Sequence, residues 1–116
     1  MAISVKTSQE LIYEAAADIG AIGPGEAMSA EDYAKFDDKL DSLLDQLNEQ
    51  YSISIYDKEQ IPASYFMALA RLLGNVAGAA IVAAPLNNEA WERDVSALRR
   101  MAATRPTGQV LKSDYF

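Results

Sequence analysis

Residues 29–51 read SAEDYAKFDDKLDSLLDQLNEQY, and this stretch decides the fold. Ser29 opens it as a helix cap, with Glu31 and Asp32 in the first turn, where the helix dipole favours anions. Tyr33, Phe36, Leu40, Leu43, Leu44, Leu47 and Tyr51 then recur at spacings of three and four. On a helical wheel they cover an apolar stripe roughly 100° wide. Asp37, Asp38, Asp41, Asp45 and Glu49 fall on the opposite side. The segment is an amphipathic helix, and its stripe needs other elements to pack against.

Upstream, Thr7-Ser8-Gln9-Glu10 has the form of a capping box, and Leu11, Ile12, Ala15, Ala16 and Ile19 share one helical face behind it. Gly20 stands where a helix end favours a left-handed residue, so a first helix is expected over about Ser8–Ile19. Residues 21–26 form a connector in which Pro24-Gly25 suits a type II turn. Downstream, residues 51–56 alternate and are rich in β-branched side chains, which predicts a short extended segment, and residues 57–60 form a polar loop.

Pro62 suits the first turn of a third helix. Its expected buried side is Tyr65, Phe66, Leu69, Leu72, Leu73, Val76, Ala80 and Ile81. Gly74, Ala77, Gly78 and Ala79 make much of this helix small, so a neighbouring backbone can come close. Pro85 is expected to stop it. The segment 72–86 is only 15 residues and contains Asn75, which is short of the about 20 apolar residues a bilayer span needs, so it reads as a buried helix. Asn87 or Asn88 caps a fourth helix lined by Trp91, Val95, Leu98 and Ala102, with Arg93, Arg99 and Arg100 left polar. From Thr104 the periodicity stops. The expectation is therefore an all-α chain: a small four-helix bundle over residues 1–104 and an extended C-terminal arm over 105–116.

Composition bounds the chemistry. The chain has 116 residues, half of them hydrophobic, which is one ordinary domain with enough apolar surface for a core. It has no Cys and no His, which removes disulfides, Cys or His zinc sites, and the nucleophile systems that need either residue. The net charge is −7, and it is uneven: residues 1–60 carry four basic and thirteen acidic side chains, residues 61–116 six basic and four acidic. An acidic chain is repelled by phosphate, which disfavours a nucleic-acid grip. The first residues lack the basic-then-apolar order of a secretion signal.

Three constellations bear on function. The row Asp37–Asp41–Asp45 at i, i+4 spacing puts like charges together, but a straight helix face offers a hard cation oxygens from one direction only, so a solvated face is expected. No pair among the seventeen acids is singled out as a hydrolytic couple, so no enzyme activity, cofactor or metal is expected. The arm carries Thr107, Gly108, Val110, Leu111, Tyr115 and Phe116, and two terminal aromatics read as anchors, either on a partner or back on the chain's own bundle.

Taken in order, Thr7-Ser8-Gln9-Glu10-Leu11-Ile12, Ile19-Gly20-Ala21-Ile22 with Gly25-Glu26, Ser29-Ala30-Glu31-Asp32, Leu43-Leu44-Asp45-Gln46-Leu47-Asn48, and the closing Pro106-Thr107-Gly108 to Lys112-Ser113-Asp114-Tyr115-Phe116 resemble the head-to-tail adaptor proteins of tailed bacteriophages, also called head completion or packaged-DNA stabilisation proteins. The resemblance implies a virion protein at the head–tail interface, made in the host cytoplasm. It implies a ring, usually of twelve copies, beneath the portal protein. That ring extends the DNA channel and offers a platform to a downstream tail protein, with no membrane partner. It also implies that Thr107, Gly108, Val110, Leu111, Tyr115 and Phe116 dock on the portal. With a channel in view, Asp37, Asp38, Asp41 and Asp45 become the candidates for its lining, since an acidic wall repels packaged DNA and lets it slide without sequence-specific contact. The rival reading is a small acidic helical protein–protein interaction module, a non-viral regulator.

Overall fold

A computed structural model describes residues 5–23, 25–55 and 57–104. The chain is mostly helical, and its elements run β1 (Val5–Lys6), α1 (Ser8–Asp18), α2 (Ala30–Tyr51), β2 (Ile61–Pro62), α3 (Ala63–Ile81) and α4 (Asn88–Thr104). The expected arm, residues 105–116, lies outside the described residues, as do Pro24 and Tyr56.

The helix starts follow the sequence. Thr7 caps α1 with a reciprocal pair: its hydroxyl accepts from the Glu10 N–H at 3.3 Å, and its own N–H donates to the Glu10 carboxylate at 2.9 Å. Gly20, at φ +77°, closes α1, with the Ala21 N–H reaching the Ala16 carbonyl at 2.8 Å and the Gly20 N–H the Ala17 carbonyl at 3.1 Å. This paired closure needs a left-handed residue, which glycine adopts without a Cβ penalty. Ser29 caps α2 through the Asp32 N–H at 3.2 Å. Asn87 caps α4, its side-chain oxygen accepting from the Ala90 N–H at 3.1 Å.

α3 is the axis of the fold. α1, α2 and α4 all pack on it, which accounts for its high apolar content. The core joins Leu11, Ile12 and Ala15 of α1, Phe36, Leu40, Leu43 and Leu47 of α2, Leu69, Leu72, Leu73 and Ala77 of α3, and Val95 and Leu98 of α4. At Gly74 α1 comes close: a Cβ there would lie 2.9 Å from Ile19 Cγ2 and 3.3 Å from the Ala15 carbonyl oxygen. The small residue expected to admit a neighbour therefore admits a helix of the same chain.

Several boundaries differ from expectation. No strand forms among residues 51–55. Instead Ser52 turns left-handed at φ 57°, and the Ile53 N–H wraps back to the Leu47 carbonyl at 3.1 Å, which drops Ile53 into the core. The alternation that looks extended marks one buried and one half-buried isoleucine after a helix end. The only strands among the described residues are the two-residue pair β1 and β2, antiparallel with Val5 opposite Pro62. Pro62 thus precedes α3 and caps it without a side-chain bond. Four residues before Pro85, α3 ends at Ile81, because Ala83 goes left-handed at φ 58° and the Val82 and Ala84 N–H groups both reach the Gly78 carbonyl. Ala80 is exposed, and Phe66, Val76 and Ile81 are half-buried, whereas Ala68, Ala70 and Ala77 are buried. A helix contacted from three sides hides its small residues as well as its large ones.

Candidate functional site

The acidic outer face of α2 is the first candidate surface, and the structure divides it. The Lys58 ammonium, on the loop before β2, lies 2.7 Å from the Asp37 carboxylate and 2.9 Å from that of Asp41. These hydrogen bonds hold Lys58 above the usual lysine range. One cation therefore bridges two carboxylates of the like-charge row. Asp38 and Asp45 are exposed, and no bond of either to another side chain places them in that bridge. The loop is itself tethered: Glu59 accepts from the Ser8 hydroxyl at 2.7 Å and from its N–H at 3.3 Å, and the Asp57 side chain accepts from the Glu59 N–H at 2.9 Å. Among the described residues no group of three or more acidic side chains is arranged to hold a metal ion.

Sequence reasoning missed a second charged cluster. Asp94 of α4 is 1% exposed. Its carboxylate takes the Arg71 Nε at 3.1 Å from α3, and the Arg93 Nε and Nη2, each at 3.2 Å, from its own helix. The Arg93 guanidinium is pushed to a higher pKa chiefly by its bonds to Asp94. A buried carboxylate held by two arginines locks α4 to α3, and removing its partners would strand a charge away from water. The signal was present: Asp94 sits on the apolar stripe between Trp91, Val95 and Leu98, and Arg71 is the one charge in α3. α3 is by length and composition apolar enough to cross a membrane, yet half of it is buried in this fold and Arg71 near its middle is committed to Asp94.

A third feature sits where α3 meets α4. The Asn75 side chain bonds both ways to the Asn87 backbone: its amide nitrogen donates to the Asn87 carbonyl and its oxygen accepts the Asn87 N–H, each at 2.9 Å. That clamp fixes the connector 82–87, whose Val82 and Leu86 side chains are exposed. At the opposite end of α3, Val5 and Met67 are exposed as well. The arm residues Thr107, Gly108, Val110, Leu111, Tyr115 and Phe116 lie outside the described residues.

No protein-family model, no curated protein and no solved structure matches this chain. The functional reading rests on its own residues.

Proposed function

We propose that this chain is a head-to-tail adaptor of a tailed bacteriophage, a structural protein without enzymatic activity. In this reading residues 1–104 form a four-helix bundle and residues 105–116 an extended arm that docks on the portal protein through Thr107, Gly108, Val110, Leu111, Tyr115 and Phe116. Copies close into a ring, packaged DNA passes through it, and a downstream tail protein seats below.

The observation that carries the reading is the pairing of exposed apolar side chains at the two ends of α3: Val5 and Met67 at its start, Val82 and Leu86 beyond its end. Met67 and Val82 are fifteen residues apart, about 22 Å at the helical rise. A protein held between two partners needs an anchoring patch at each of two opposite ends, and apolar anchors supply most of the energy of such contacts. The acidic outer face of α2 suits a channel wall, with Asp38 and Asp45 as its free charges. The order of motifs along the sequence supports the same conclusion.

Native mass spectrometry of the chain mixed with the portal protein tests it, with and without residues 111–116. A ring-symmetric complex that needs the arm is expected. No complex with either form would overturn the adaptor reading and favour the stand-alone interaction module.

A further inference from the structure

Two helix faces are exposed among the described residues, and they are complementary in charge. Along α1, Gln9, Glu10, Tyr13, Glu14 and Ala17 fall on one side and line, with Ile22, Gly23 and residues 25–27, an open hollow of about 670 Å³. Its walls carry three carboxylates, those of Glu10, Glu14 and Glu26, against one cation, Lys6. Lys6 is held over the Phe66 ring at 5.4 Å, Glu10 is bound to Thr7, and Glu26 accepts the Gly23 N–H. The hollow is therefore built, net acidic, and floored by apolar groups such as Ala17, Ile22 and Phe66.

Along α4, Ser96, Arg99, Arg100 and Ala103 recur at spacings of three and four, all exposed, and line a shallow hollow of about 340 Å³. Two arginines flanked by two small residues make a thin, basic helical ridge. Small residues let helix axes approach, and guanidinium groups pair with carboxylates at a rim without a deep pocket.

We infer that the α1 hollow receives the α4 ridge of a second copy of this chain. The charge signs are opposite, both faces are helical, and each includes small residues, Ala17 in the hollow and Ser96 and Ala103 on the ridge. The two faces lie on different elements of one subunit, so the contact is heterologous: each copy offers its hollow to one neighbour and its ridge to the other. Heterologous contacts close into rings or run on as filaments, whereas a two-fold dimer would use one face twice. The inference deepens the adaptor reading and rests on it for the closed ring. It leaves the α2 acidic face and the far end of α3, at Val82 and Leu86, outside the contact.

The test uses two variants with opposite reversals. Gln9→Lys with Glu14→Lys makes the hollow basic. Ser96→Glu with Arg99→Glu makes the ridge acidic. None of these four residues is a helix cap or a member of the buried core, and circular dichroism checks that helicity is kept. In each variant alone, hollow and ridge now carry the same sign. In an equimolar mixture every hollow again meets a ridge of opposite sign, in alternation round the ring. Sedimentation velocity over a concentration series at low salt is expected to show self-association of the unaltered chain that weakens as salt is raised. A weakening of about tenfold or more in Kd is expected for either variant alone, with recovery on mixing. A unaltered chain that stays monomeric throughout the series, variants that associate as it does, or a mixture that fails to recover would each overturn the inference. Capture by the portal protein is read separately on the same variants. Loss of capture with self-association intact counts against the adaptor reading alone, and capture with no self-association counts against this contact alone.

Discussion

Asp94 carries the most consequence of any single residue. Its carboxylate is 1% exposed and is bonded by both Arg71 and Arg93. Replacing Asp94 by Ala frees two arginines that still reach water, so the cost is that of lost bonds and a small void, about 1–3 kcal/mol in urea unfolding. Replacing both arginines by Met strands the carboxylate, and the larger loss of the two is expected there. Ser52 and Ala83 carry strain of another kind, since both hold left-handed backbone without being glycine. Ala83→Gly is expected to raise stability by up to about 1 kcal/mol, read from the urea midpoint, since the left-handed penalty on Cβ outweighs the added unfolded-state freedom. At Glu10 the sign follows from its bond to the Thr7 N–H, which lowers its pKa. A lowered carboxyl pKa contributes stability above the unfolded value of about 4.3 and loses it as pH falls through the folded value. Thermal midpoints measured between pH 6 and pH 3 are expected to fall less steeply for Glu10→Gln than for the unaltered chain.

At the scale of the elements, caps, stripes and the glycine that closes α1 were legible, and the left-handed residues that end α2 and α3 were not. Thr7, Ser29 and Asn87 announce three helix starts because a side-chain oxygen over free N–H groups is a local device, readable in three or four residues. The ends at Tyr51 and Ile81 are set by Ser52 and Ala83, residues with no sequence preference for the left-handed region, so only tertiary packing of Ile53 and the connector puts them there. The β1–β2 pair escaped for a similar reason: two residues have no period. Asp94 and Arg71 were each visible as a charge on an apolar face, but their pairing needs the α3–α4 contact, which no local pattern encodes. The contact between α1 and α3 predicts what a small-residue change does. Gly74→Ala pushes a Cβ to 2.9 Å from Ile19 Cγ2 and 3.3 Å from the Ala15 carbonyl. The gain in helix propensity is then outweighed, and a net loss of about 1–3 kcal/mol is expected in denaturant unfolding, with partial recovery when Ile19 is shortened to Val.

At the scale of the whole molecule, the question is what the acidic outer face of α2 is for, and the structure separates two answers that the sequence merges. Asp37, Asp38, Asp41 and Asp45 look alike as a row, but Asp37 and Asp41 share Lys58, whereas Asp38 and Asp45 do not. The first pair therefore ties the loop before β2 to α2, and the second leaves its charge in solvent. Partly exposed ion pairs contribute little, about 0.2–1 kcal/mol each, so Asp37→Asn with Asp41→Asn should cost stability within that range per pair. Because the bonds to Asp37 and Asp41 raise the Lys58 pKa, the lysine's part of this contribution is in full effect just below the unfolded lysine value of about 10.4 and is lost as pH rises through the folded one. Asp38→Asn with Asp45→Asn removes two exposed like charges and should change stability by no more than about 0.5 kcal/mol. If the face lines a DNA channel, the second variant alters retention or ejection of packaged DNA while particles still assemble, because the wall loses repulsion and not structure. Urea unfolding of both variants and DNA release from particles carrying each separate the two roles. Failure of assembly with the Asp38 and Asp45 changes would instead place this face in a subunit contact.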